Sequence, residues 1–181
     1  MKERGILMKT IAFFNVKGGC GKTTSCINIS YILATKYEKK VLLIDLDPQA
    51  NSSDFFIDQD YDTSIEDVFV GRKNIKECIQ HTKYDRLDII PSTITLSRTE
   101  KAMVANTTEP QQLKLAAYLG DIETDYDYCI LDCSPSAETI TNINGLAAAN
   151  AVFVPLKADK WTIKGLQSVS YTHLRAHETA A

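Results

Sequence analysis

The chain has no uninterrupted run of 18 or more apolar residues and no basic, apolar, small-residue leader, so neither a membrane span nor secretion is expected and the predicted setting is the cytoplasm. It has no C-x-x-C pair. Its five cysteines, Cys20, Cys26, Cys78, Cys129 and Cys133, are odd in number, which argues against a disulfide framework or a zinc site. Extended strand would hold Cys129 and Cys133 roughly 13 Å apart, too far for a disulfide, so buried packing is their expected role. There is no charge surplus either: 20 basic against 23 acidic residues give a net charge of -3, so bulk attraction to nucleic acid or anionic lipid is absent and only a local basic patch would supply it. Repeats, low-complexity blocks and linkers are also missing. What remains is 181 residues at 44% hydrophobic content, enough for one domain with a core.

The hydrophobic pattern alternates between strands and helices. Thr10 to Asn15 is a short apolar run entering a glycine cluster, and Thr23 to Thr35 carries Ile27, Ile29, Ile32 and Leu33 at helix-like spacing. Val41 to Ile44 reads as a strand buried on both faces, since it has no polar alternation. From Asn51 to Asp62 the chain turns polar and acidic. Helices are expected over Ser64 to Val70 and Asn74 to His81, then a strand at Leu87 to Pro91, helices at Ser97 to Ala105 and Pro110 to Leu119, and a strand at Tyr128 to Leu131. A helix over Thr139 to Ala149, a strand over Ala151 to Leu156 and a helix from near Thr162 complete an order that predicts an α/β fold: a mostly parallel sheet with helices on both faces.

Where the first strand hands over to the first helix stands Asn15-Val16-Lys17-Gly18-Gly19-Cys20-Gly21-Lys22-Thr23-Thr24. Glycines let successive backbone N–H groups curl around phosphate oxygens, and the helix N-terminus adds partial positive charge. In such a loop Lys22 neutralises the β and γ phosphates, and the Thr23 hydroxyl stands where Mg²⁺, a hard cation, takes oxygen ligands. The general G-x-x-x-x-G-K-[ST] pattern fails at its first position, where Val16 stands, and an extra lysine, Lys17, precedes Gly18-Gly19.

Strand-end carboxylates in an open α/β sheet face the ligand crevice, which marks Asp45 and Asp47 after strand two and Asp132 after Tyr128 to Leu131. Pro48 turns the chain, placing Asp47 at the strand exit.

The run KGGCGKTT resembles the deviant Walker A of the ParA/MinD family of P-loop ATPases. The segments DLDPQAN, LDIIPSTITLSRTE, YDYCILDCSPS and NGLAAANAVFVPLKADKWTIKGL extend the likeness from about Lys9 to Ser168 and are similar to small, Soj-like ParA partition proteins; DPQAN favours ParA over MinD. The resemblance implies a three-layer α/β/α P-loop NTPase fold with its C-terminal part missing, and ATP and Mg²⁺ as cofactors. It implies catalytic roles for Lys17, Lys22 and Asp47. Lys17 would reach the partner's phosphates across a nucleotide-sandwich dimer, and Asp47 would orient the attacking water. Nucleotide would be held by Lys17, Gly18, Gly19, Cys20, Gly21, Lys22, Thr23 and Thr24, and the metal by Thr23, Asp45 and Asp132. As function it implies an ATP-dependent DNA-partitioning switch: an ADP-bound or apo monomer, an ATP-dependent homodimer on nonspecific DNA at the nucleoid, and hydrolysis stimulated by a ParB-like partner, with no membrane expected. A MinD-like membrane regulator is the alternative, and a P-loop kinase-like transferase a third reading. Three departures stand out: Ser134 replaces a usual proline, the segment after Ser136 is one residue longer, and the common Arg-Glu is absent around Glu109.

Val169 to Thr179 (VSYTHLRAHET) reads as a translated sequencing adapter. Residues 1–168 are therefore expected to be an incomplete P-loop ATPase domain and 169–181 a non-native tail, which removes the His173, His177 and Glu178 pattern as a metal site. Met8, directly before the first strand, makes residues 1–7 an expected upstream extension.

Overall fold

Residues 7–157 are described by the computed structural model; the helix expected from Thr162 and the tail with His173, His177 and Glu178 lie outside the described residues. Strands β1 (Lys9–Phe13), β2 (Val41–Leu46), β3 (Gln80–His81), β4 (Leu87–Ile90), β5 (Tyr128–Cys133) and β6 (Ala151–Phe153) form one sheet in the order β3-β4-β2-β5-β1-β6. All neighbours are parallel except β3, which runs antiparallel to β4 at the edge. The expected α/β architecture is present.

All of β2 is buried, as its unbroken apolar run requires of a strand covered on both faces. Alternation sends Val41 and Leu43 into one core with Phe13, Cys26, Ala34 and Ile130, and Leu42, Ile44 and Leu46 into a second, larger core with Leu131, Cys133, Ile140 and Leu146. Helices α1 (Lys22–Thr35) and α2 (Asn51–Phe56) cover the first face. The second is covered by α3 (Ile65–Phe69), α4 (Leu96–Ala105), α5 (Lys114–Gly120) and α6 (Ile140–Ala148). Helix α1 buries Cys26, Ser30 and Ala34 at four-residue spacing, a stripe of small side chains that lets the helix lie close to the sheet. Cys26, Cys78, Cys129 and Cys133 are all buried, and burial pushes their thiols up, so they are packing residues as expected.

Three local expectations are corrected. The helix expected over Asn74 to His81 is one 3₁₀ turn, Ile75–Cys78, because Asn74 Oδ1 caps the Lys76 and Glu77 N–H groups while Gln80 and His81 pair with Ile89 and Asp88 on the open edge of β4. The helix expected from Pro110 begins at Lys114. Asn144 of α6 donates to the Gln111 carbonyl at 2.7 Å and accepts from the Leu115 N–H at 3.0 Å, so a side chain from another helix satisfies the backbone in place of an earlier helical turn. In the polar stretch after Asn51 the chain forms α2: Phe56 buries against the first core, edge-on to Tyr84, and Ser52 and Ser53 turn inward.

At Gly145 of α6 an added Cβ would stand 2.8 Å from Leu46 Cδ1 and 3.4 Å from Cys133 Sγ, so the absence of a side chain lets α6 approach β2 and β5. Gly145→Val is expected to destabilise the fold by about 1–3 kcal/mol through overpacking, read as a lower Tm in thermal unfolding. An unchanged Tm would show that the core yields there without cost.

Candidate active site

The turn from β1 into α1 holds every residue of the expected phosphate loop. Gly19 and Gly21 adopt φ of 69° and 91°, while a Cβ on either would meet open space, so backbone conformation and not crowding calls for glycine there. Asn15 braces the loop: its Oδ1 accepts from the Lys17 N–H at 3.0 Å and its Nδ2 donates to the Pro155 carbonyl at 2.9 Å, just after β6. The Lys17 carbonyl accepts from Cys20 Sγ at 3.2 Å and from Lys22 Nζ at 3.3 Å, so the buried Lys22 amine folds back over its own loop. Gly18, Gly19 and Thr24 are exposed, Lys17, Cys20, Gly21 and Thr23 half-buried. The 14-residue α1 thus begins with its free N–H groups and partial positive charge at this loop.

Beside the loop lie the three aspartates. Asp45 and Asp132 are register partners across the parallel β2–β5 pair, both on the α1 face. Asp45 is fully buried: Oδ1 accepts from the Asp47 N–H at 3.0 Å, and Oδ2 accepts from the Ser53 N–H at 3.0 Å and its hydroxyl at 2.8 Å. Burial raises its pKa against these bonds. Asp132 Oδ2 accepts from the Ser52 hydroxyl at 3.0 Å, whereas its buried Oδ1 makes no hydrogen bond. Burial first and then the Asp45 charge push the Asp132 carboxyl up to about 7, with the neighbouring Thr23 hydroxyl and the Ser52 hydrogen bond opposing. Asp47 sits past the end of β2, as Pro48 predicted; its Oδ1 accepts from the Gln49 N–H at 2.9 Å.

Reasoning from the sequence missed the polar residues gathered around these aspartates. Ser52 and Ser53 stood in the polar run after DPQAN, where a helix start placing hydroxyls under two strand ends was the available signal. Ser92, after β4, and Glu100, which accepts from the Thr141 hydroxyl and whose carboxyl is raised by burial and by the charge of Asp47, had no local signal. Asn142 ties the turn after β5: its Oδ1 accepts from the Ser134 N–H at 3.1 Å and its Nδ2 donates to the Ser134 hydroxyl at 2.9 Å. The departure from proline at position 134 thus supplies an N–H that proline lacks. Among the described residues no group of three or more His, Cys, Asp or Glu could hold a metal ion, and no helix is long and apolar enough to cross a membrane.

A family model described as an AAA domain matches residues 8–180. The chain is 38% identical over 158 residues to the chromosome-partitioning ATPase Soj of Treponema pallidum, covering 87% of this chain and 60% of that protein. Among solved structures it is similar to a plasmid partition protein from Borrelia burgdorferi B31 bound to AMPPNP, at 28% identity and a TM-score of 0.83, covering 94% of this chain and 70% of that one. It is also similar to cobyrinic acid a,c-diamide synthase from Mycobacterium smegmatis with a bound ATP analogue and magnesium, at 26% identity and a TM-score of 0.81, covering 92% and 69%. The chain spans 60 to 64% of the length of the first curated relatives it matches. By the family model and by these relatives, the chain belongs to the AAA-domain family, among its ParA- and Soj-type P-loop members.

Proposed function

We propose that the chain is a partitioning ATPase that binds Mg-ATP at the β1–α1 loop and uses hydrolysis as a switch. The reading rests most on Asp132: a buried carboxylate oxygen with no hydrogen-bond partner, beside the Thr23 hydroxyl and across from Asp45, at the mouth of a glycine loop. Oxygen donors suit a hard divalent cation, and a cation there would offset the repulsion between the two buried carboxylates. Thr23 and Asp132 would hold Mg²⁺, with Asp45 beside its shell and occupied chiefly in holding Asp47 and Ser53. When bound, Mg²⁺ neutralises charge on the β and γ phosphates. The N–H groups from Gly18 to Thr24 cradle the phosphates, and Lys22, released from the Lys17 carbonyl, pairs with them. Asp47, held by its own backbone and by Gln49, orients the attacking water. Lys17 contributes to a partner's phosphates in an ATP-dependent homodimer.

The likeness to chromosome- and plasmid-partition proteins supports partitioning as the output: the ATP-bound dimer holds nonspecific DNA at the nucleoid, and a ParB-like protein stimulates hydrolysis and releases it. The test measures phosphate release from Mg-ATP, and DNA retention with ATP, ADP or no nucleotide at rising salt. Retention with ATP alone, weakening steeply with salt as counterions are released, is the expected result. Equal retention in all three states overturns the switch.

A further inference from the structure

Four buried residues close a hydrogen-bonded ring around the exit of β2. Asp45 Oδ1 accepts from the Asp47 N–H at 3.0 Å, and Asp45 Oδ2 accepts from the Ser53 hydroxyl at 2.8 Å. The Ser53 hydroxyl oxygen in turn accepts from the Ser92 N–H at 3.0 Å, and the Ser92 hydroxyl donates to the Asp47 carbonyl at 2.6 Å. Ser92 is wholly buried, and its own carbonyl accepts from the Tyr61 hydroxyl at 2.6 Å. Both peptide groups of Asp47 are therefore held: its N–H by Asp45 on β2, its carbonyl by Ser92 from the exit of β4 and by the Ala50 N–H at 2.9 Å. Buried, mutually satisfied polar groups of this kind fix one geometry, because breaking any member leaves a desolvated partner unpaired.

We propose that Ser92 is a positioning residue for hydrolysis, setting the direction of the Asp47 carboxylate through the Asp47 carbonyl, and that Tyr61 holds Ser92 from the rim. The inference rests on the reading of Asp47 as the residue that orients water. Ser92 touches no nucleotide-loop residue in the hydrogen bonds it makes, so it governs turnover and leaves binding alone. A purely structural serine would move kcat, affinity and Tm together.

The experiment compares the whole chain with Ser92→Ala and Tyr61→Phe, each of which removes a single oxygen and adds no volume. Phosphate release from Mg-ATP gives kcat and KM, a fluorescent ATP analogue gives Kd, and thermal unfolding gives Tm. Ser92→Ala is expected to lower kcat about tenfold, the worth of one buried hydrogen bond, with Kd within about twofold. Tyr61→Phe, one bond further out, is expected to lower kcat about threefold with Kd unchanged. If Ser92→Ala does not fold, Tyr61→Phe decides by the same split. Wild-type kcat in the folded variants, or a loss shared equally by kcat and Kd, overturns the role of Ser92 and leaves the ATPase reading standing. A wild-type chain that binds Mg-ATP and never hydrolyses it overturns the reading of Asp47 and this inference with it.

Discussion

Lys22→Ala is expected to weaken ATP binding about a hundredfold or more, because one ammonium group exchanges its internal hydrogen bond to the Lys17 carbonyl for charge-assisted bonds to two phosphates, worth about 3 kcal/mol together. In the structure that internal contact is the 3.3 Å bond from Nζ to the Lys17 carbonyl, a weak one that phosphate oxygens readily displace. Lys22 opens α1 at its first position, and the stripe of Cys26, Ser30 and Ala34 that docks the helix lies beyond it, so the fold should persist. Titration with a fluorescent ATP analogue, alongside thermal unfolding, checks both halves. An affinity within threefold of the unaltered chain would remove Lys22 from the phosphate site.

The opposite signature is expected at Asp47. Asp47→Asn keeps an oxygen that can accept from the Gln49 N–H, and the backbone bonds to Asp45, Ala50 and Ser92 do not involve the side chain, so the turn survives. What is lost is the negative charge that, in the proposed role, orients the attacking water, a contribution of about 10²–10⁴ in rate. Turnover should fall by about a hundredfold or more while the affinity for Mg-ATP stays within about twofold. Steady-state phosphate release together with equilibrium binding separates the two. Turnover within fivefold of the unaltered chain would assign the water to another group; Glu100, held by Thr141 and raised by the charge of Asp47, is a carboxyl outside the aspartate set that would then be tested.

Much of this architecture was legible in one dimension. The strand exit into Gly18-Gly19-Cys20-Gly21 demands left-handed φ that only glycine takes without strain, and the unbroken apolar run of β2 belongs to a parallel strand buried on both faces. Asp45, Asp47 and Asp132 were singled out in the sequence because they stand at or just past the ends of such runs. The missed elements share a cause. Gln80 and His81 form β3 only because β4 offers an open edge, and α5 starts late because Asn144, 33 residues from Gln111 in sequence, takes its carbonyl. Helix α2 hid in a polar run because Ser52 and Ser53 face inward, satisfied by Asp132 on β5 and Asp45 on β2.

The sequence by itself determined most of the order of strands and helices, the glycine loop after β1 and the strand-end carboxylates, since each is a local pattern of backbone freedom and burial. Only the tertiary structure decided which hydroxyls meet which carboxylates: Ser52 reaches Asp132 across 80 residues, Ser92 reaches Ser53 across 39 and Asp47 across 45. Those meetings depend on the registers of β2 with β4 and β5, which align residues distant in the chain to within a hydrogen bond and leave no periodic trace in the sequence.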